Sequence, residues 1–341
     1  MFGFLDLWVQ NPIVMVVLLI AGFVLLVKGA DWLVDGASGL AKRWGVTDLV
    51  IGLTVVAFGT SMPEFVVNII SALSGNNELA ITNILGSNSI NIFVILGLTA
   101  LIWPVSSKSQ SRKVDIPVAC LASLLVLFFA CYTRPRPWNW DLASQFNMAD
   151  GDDYITRIGG VVLVICFVLY MIYLFRHAKE NSDENETFAP MAVWKALLLI
   201  VVGLVGLTIG GQFIVKSATQ MAHALGLSDA IIGLTVVALG TSLPELATSC
   251  MAAAKKNSDL ALGNCVGSCI FNVFFVLGIT SCITPLAAYK GLFLDAMMSF
   301  LAPLMVLLFV CNDKKKEISR LEGGVLLLVY AGYLGFRIFT L

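Results

Sequence analysis

Histidine is nearly absent: only His177 and His223 occur in 341 residues, and charged residues make up just 13% of the chain. There is no H-E-x-x-H, no G-x-G-D and no serine–histidine pair inside an apolar stretch, so an intramembrane hydrolase lacks its reacting groups. The eight cysteines are scattered without a C-x-x-C pair. Cys265 and Cys269 share a helix face, but no histidine stands near to complete a zinc site, and packing is the expected role. The first apolar run, from Pro12, is preceded by one acidic residue and no basic one, so the positive leader of a signal peptide is missing. That run continues through Lys28, Asp31 and Asp35 and is expected to be a retained first span. The net charge of −1 is uninformative in itself; neither a nucleic-acid partner nor a resident cofactor is expected.

What the chain has is apolar length. Hydrophobic residues reach 58% and the mean hydropathy is +0.90. Runs of roughly 20 apolar residues, each long enough to cross a bilayer core, recur throughout. Ten spans are predicted, at about 11–38, 47–74, 80–103, 115–132, 157–176, 193–222, 229–255, 262–284, 290–311 and 322–340. The one charged stretch without apolar periodicity, RHAKENSDENETFAP from Arg176 to Pro190, separates five spans from five. This predicts a first repeat over 1–176, a linker over 177–192 and a second repeat over 193–341. Because five is odd, the second repeat must enter the bilayer from the opposite side. The fold class is therefore an all-α membrane protein of ten transmembrane helices in two inverted five-helix repeats.

Basic residues orient it. With the N-terminus outside, Lys42, Arg43, Lys108, Arg112, Lys113, Arg176, Lys179, Lys255, Lys256, Lys314, Lys315, Lys316 and Arg320 fall on cytoplasmic loops. Only Arg134, Arg136, Arg157 and Lys290 fall outside. A multi-pass plasma (inner) membrane protein with both termini extracytoplasmic is expected. In the outer loop 133–156, Trp138 and Trp140 suit the interfacial aromatic belt. Asp150, Asp152 and Asp153 lack the spacing of a calcium loop and read as solvated.

The two halves also repeat in detail. The segment Ile51–Val105 returns without a gap 181 residues later, with about 26 of some 55 positions identical. Gly59-Thr-Ser-Met-Pro-Glu64 returns as Gly240-Thr-Ser-Leu-Pro-Glu245, and Gly86-Ser87…Asn91 as Gly267-Ser268…Asn272. Each copy sets a carboxylate, hydroxyls and an amide in the middle of an apolar span, where ionisable groups are costly and mark function. Pro63 cannot donate a backbone hydrogen bond, and Gly59 tolerates irregular backbone, so the helix is expected to break at the midplane and free the carbonyls of Ala57 to Thr60. Ser61-x-x-Glu64 also has the form of a capping box, so a purely structural reading of Glu64 stays open. Ser87 and Asn91, like Ser268 and Asn272, are four apart and share a helix face, where they serve either as ligands or as polar glue. Gly86 and Gly267 allow close approach of the broken helix. The set is all oxygen. Two bidentate glutamates and the Thr60 and Thr241 carbonyls supply about six ligands, which suits calcium, and two carboxylates neutralise a divalent ion.

With G-T-S-x-P-E and G-S-x-x-x-N present in both halves, the sequence resembles the alpha-repeats of the cation/calcium exchanger superfamily, in its minimal prokaryotic inner-membrane form. The resemblance implies a calcium site at Glu64, Glu245 and the carbonyls of Thr60 and Thr241. It implies sodium sites at Ala57, Thr60, Ser61, Glu64 and Ser87 on one side, and at Ala238, Thr241, Ser242, Glu245 and Ser268 on the other. Asn91 and Asn272 would line the middle; some members carry Asp where Asn272 stands. The expected function is calcium antiport against sodium or protons by alternating access, with calcium, a monovalent cation and the lipid bilayer as partners. An antiporter of the same architecture moving protons or another cation is the nearest alternative, an intramembrane hydrolase a remote one, and a purely structural membrane protein more remote still.

Overall fold

The computed structural model describes residues 12–75, 77–132, 154–178, 191–224, 238–287, 289, 291–312 and 314–340. The linker 179–190, most of the 133–156 loop with its tryptophans and aspartates, the 225–237 segment that opens the second sequence repeat, Lys290 and Leu341 lie outside the described residues. The described chain is predominantly helical. The helices are α1 (Pro12–Trp44), α2 (Asp48–Thr60), α3 (Met62–Leu73), α4 (Leu79–Ile102), α5 (Ile116–Tyr132) and α6 (Arg157–His177). They continue with α7 (Val193–Ala224), α8 (Ala238–Thr241), α9 (Leu243–Ala254), α10 (Ser258–Ile283), α11 (Leu292–Asn312) and α12 (Arg320–Thr340).

Six of these helices, α1, α4, α6, α7, α10 and α11, are long and apolar enough to cross a membrane. The pair α2–α3, bent by 46° at Ser61, is long and apolar enough for a seventh when its two parts are taken as one span. The outward faces of α1 and α6 carry exposed Ile13, Val17, Ile20 and Val24, and Ile158, Ile165 and Leu169. In water such faces would be adhesive; against acyl chains they cost nothing.

Hydrocarbon cannot drive helices together, so close backbone packing must. α1 and α7 meet along their length through glycine. A Cβ on Gly29 would lie 2.8 Å from the Gly203 carbonyl oxygen, and one on Gly210 would lie 2.7 Å from that of Gly22. Gly22 and Gly203 are equivalent in the sequence repeat, as are Gly29 and Gly210. Each helix thus offers the other the same two small residues.

α4 and α10 form the centre, with most of their side chains enclosed, Phe93 and Phe274 among the largest. Both loosen to π-winding at matching places, Ile90–Leu96 and Phe271–Leu277. π turns inside α-helices often accompany functional sites. Two short antiparallel pairings tie loops from the two parts of the chain. β1 (Val105–Ser106) pairs with β4 (Glu317–Ile318), and β2 (Tyr154–Ile155) with β3 (Leu286–Ala287).

Candidate ion-binding site

The break after α2 and its counterpart after α8 bring the two repeated motifs together in the core. Pro63 and Pro244 sit in the first turn of α3 and α9, where a missing N–H costs the helix nothing, so each proline restarts a helix as well as ending one. Glu64 and Glu245 follow directly and are fully buried. Thr60, Ser61, Ser87, Asn91, Ser242, Ser268 and Asn272 are buried around them, Ala57 is buried on α2, and Thr241 is half-buried. Ala238 opens α8.

The hydrogen bonds cross between the halves. Ser61 donates to Glu245 Oε1 at 2.7 Å, and Ser242 donates to Glu64 Oε1 at 3.4 Å. The expected capping box does not form: Ser61 makes no side-chain bond to the start of α3, because its hydroxyl is engaged by the other half's carboxylate. The Ala57 carbonyl is not left bare either. It accepts from the Ser61 N–H at 3.1 Å and from the Thr60 hydroxyl at 3.4 Å. The backbone at Gly59 is helical rather than irregular, and a Cβ there would lie 2.7 Å from Leu204 Cδ2 on α7, a side-chain tip that would have to shift. Gly240 meets Val215 of the same helix in the same way. Gly267 allows the close approach expected of it, with a Cβ there only 2.8 Å from Leu53 Cα; at Gly86 no described atom lies within 4 Å.

Several further polar residues of the site carry neither a charge nor a place in the two motifs. Asn264 accepts from Thr60 at 3.2 Å and donates to the Glu245 carbonyl at 3.3 Å and to Ser249 at 2.9 Å. Its repeat equivalent is Asn83, so the identity of the two was visible, but neither carries a charge. Asn68 donates to the Glu64 carbonyl at 3.0 Å. Asn88 accepts from Asn272 at 3.2 Å and donates to the Cys269 carbonyl; positions 88 and 269 are equivalent in the repeat and meet each other.

After these bonds are counted, a set of buried oxygens is left without a protein partner among the described residues. They are Asn68 Oδ1, Asn91 Oδ1, Asn272 Oδ1 and Thr248 Oγ1, together with Glu64 Oε2 and Glu245 Oε2, which lack a bond of normal geometry although the Thr241 hydroxyl lies beside Glu64 and the Thr60 and Ser268 hydroxyls beside Glu245. Unsatisfied buried polar groups are few in native proteins and each calls for an explanation. Here they come from both halves and include an oxygen of each of the two buried carboxylates. Hard cations take such oxygens as ligands. Among the described residues no cluster of three or more His, Cys, Asp or Glu offers a transition-metal site.

Comparison with known proteins agrees with this chemistry. The family model described as sodium/calcium exchanger protein matches residues 14–176 and 195–339. The chain is 37% identical over 331 residues to the putative antiporter CaxA of Alkalimonas amylolytica, covering 94% of this chain and 98% of that one. It is 30% identical to the sodium/calcium exchanger MaX1 of Methanosarcina acetivorans, covering 93% and 96%. It is 34% identical to the inner membrane protein YrbG of Escherichia coli over 79% of each chain. Among solved structures, the sodium-calcium exchanger NCX_Mj soaked with sodium and without calcium superposes with a TM-score of 0.79 at 30% identity, covering 95% of this chain and 99% of that one. These matches run through both motif-bearing halves, and the chain belongs to the sodium/calcium exchanger family, a family of membrane transporters and not of enzymes.

Proposed function

We propose that this protein is a secondary antiporter that moves calcium in exchange for sodium by alternating access. The observation that carries the reading is the set of buried oxygens without a bond of normal geometry, one on each of Glu64 and Glu245 among them. In it, calcium is held by the two carboxylates and by the Thr60 and Thr241 carbonyls. Sodium is held by Ala57, Thr60, Ser61, Ser87 and Glu64 on one side, and by Ala238, Thr241, Ser242, Ser268 and Glu245 on the other. Asn91 and Asn272 line the space between. The names of the relatives and of the neighbouring structures support these ions as cargo.

Exchange follows from sharing. A carboxylate that balances calcium is not free for sodium, so each ion displaces the other. The empty site would expose two bare carboxylates to a low-dielectric interior during reorientation, which makes the unloaded transition costly and couples the two fluxes. The crosswise serine bonds suit this cycle, because each carboxylate keeps one oxygen oriented by the opposite half and one available to cargo.

The same reading takes the architecture to be ten spans in two inverted repeats over 1–176 and 193–341, joined by a cytoplasmic linker over 177–192, with both termini outside. Reciprocal glycine packing of α1 on α7 and the meeting of equivalent positions 88 and 269 support a twofold relation between the halves. Calcium-45 uptake into reconstituted vesicles under separately imposed sodium, proton and potassium gradients tests the proposal. Uptake driven by an outward sodium gradient is expected; uptake driven only by protons would replace sodium as the counter-ion, and no gradient-driven uptake would reject antiport.

A further inference from the structure

The internal repeat gives each polar residue of one half an equivalent 181 positions away, and one identical pair is bonded unequally. Asn264 on α10 is fully buried. It accepts from the Thr60 hydroxyl at 3.2 Å and donates to the Glu245 carbonyl at 3.3 Å and to Ser249 at 2.9 Å. An asparagine amide has two donor hydrogens and an acceptor oxygen, and here all are used. Asn264 thus ties α2, α9 and α10 together, on the side of the glutamate pair that faces the turn between α9 and α10. Backbone packing closes the same side. A Cβ on Gly263 would lie 2.8 Å from the Leu49 carbonyl oxygen, and one on Gly52 would lie 2.9 Å from that of Leu260.

Asn83 on α4 stands at the equivalent place, beside the turn between α3 and α4. The equivalents of Asn264's partners are Thr241, the Glu64 carbonyl and Asn68. All three are described, and Asn83 bonds to none of them. Its amide nitrogen is buried without a partner, and so is Asn68 Oδ1, which stands in the place of the Ser249 hydroxyl. The Thr241 hydroxyl lies beside Glu64, and the Glu64 carbonyl accepts from Asn68. The surroundings differ in the same sense: Thr60 and Thr248 are buried, while their equivalents Thr241 and Val67 are half-buried.

We infer that Asn264 and Asn83 are alternating clasps that decide which side of the shared site is shut. In this state Asn264 is engaged and Asn83 is not. In the opposite-facing state Asn83 donates to the Glu64 carbonyl and to Asn68 Oδ1 and accepts from Thr241, while Asn264 releases its own partners. Each state satisfies one buried amide and leaves the other open, so the two states stay close in free energy, as a cycle through both requires. Both are positioning residues that act through the helices they tie. The inference rests on the alternating-access reading and adds to it the groups that set the balance between the two faces.

Its test reads both sides of the site. In a protein stripped of native cysteines, Val67→Cys or Thr248→Cys places one thiol a turn beyond each glutamate, and alkylation rates are measured in detergent. Asn264→Ala is expected to raise the rate at position 248, with no rise at 67. Asn83→Ala is expected to lower the rate at 248, although Asn83 lies in the other half and makes no bond in this state. Each change should be on the order of tenfold, the shift in equilibrium that one lost bonding group carries. A merely structural role would loosen the fold and speed labelling, never slow it. Unchanged or faster labelling at 248 in Asn83→Ala, or a rise at both positions in Asn264→Ala, would overturn the inference. Asn83→Ala decides alone if Asn264→Ala does not fold. Vesicle uptake by the unaltered protein tests alternating access without these variants, so a transporting protein whose position 248 ignores Asn83→Ala rejects this inference and leaves that reading intact.

Discussion

At the scale of single residues, the site is held together by bonds that pass from one motif to the other. Ser61 serves Glu245, Ser242 serves Glu64, and Asn264 links Thr60 to the α9 backbone. Removing a buried partner leaves the other group to bear its full desolvation cost, about 1–3 kcal/mol for each neutral group. Asn264→Ala abandons Thr60, Ser249 and the Glu245 carbonyl together. It should lower thermal stability measurably, whereas Asn83→Ala, with no partner at its amide nitrogen among the described residues, should cost less. Thermal unfolding of the two variants checks this; equal losses would deny Asn264 its bridging place. The glutamates, hydroxyls and amides of the motifs were legible in the sequence because they recur at a fixed offset. Their crosswise pairing was not, since a local pattern such as Ser61-x-x-Glu64 points to the nearest helix end and carries no record of a partner some 180 residues away.

At the scale of elements, the broken helix was legible because proline and glycine act locally: Pro63 and Pro244 restart α3 and α9 whatever surrounds them. The π-winding of α4 and α10 has no such local mark and depends on packing around the site. Gly59 in the sequence suggests backbone freedom, while the structure has regular helix there with the Leu204 tip of α7 against it. The α1–α7 seam is the sharper test of close packing. A side chain at Gly29 or Gly203 would meet backbone atoms at 2.8 Å, and backbone cannot retreat as a side-chain tip can. Gly29→Val should therefore destabilise by about 1–3 kcal/mol or more and separate the two helices. Gly324→Val, on α12 with no described atom within 4 Å, should be tolerated. Thermal stability of the purified variants distinguishes the two, and equal tolerance would mean that α1 and α7 are not closely packed.

At the scale of the whole molecule, the two halves repeat each other but are not equal: Asn264 is bonded on every side, and the amide nitrogen of Asn83 at the equivalent place has no partner among the described residues. Asn91 and Asn272 bring ligand oxygens without charge, so two glutamates must balance the whole cargo. Calcium flux should for that reason be indifferent to potassium, because among the described residues no third carboxylate joins Glu64 and Glu245 to hold a further monovalent ion beside calcium. Vesicle uptake with and without potassium on the calcium side measures this directly, and a strict potassium requirement would refute it. Orientation is tested separately, in a protein stripped of its native cysteines. A cysteine introduced in the 133–156 loop should label from outside, and one at position 110 should not; the reverse pattern would invert the assignment.

The central claim is that Glu64 and Glu245 form one shared site for the exchanged ions. Sodium-gradient-driven calcium-45 uptake by vesicles containing the unaltered protein, Glu64→Gln or Glu245→Gln, each confirmed as folded by gel filtration, tests it most directly. The account predicts robust uptake by the unaltered protein and none by either single variant, since the loss of one carboxylate leaves calcium's charge uncompensated in the core. Near-normal uptake by either variant would contradict it.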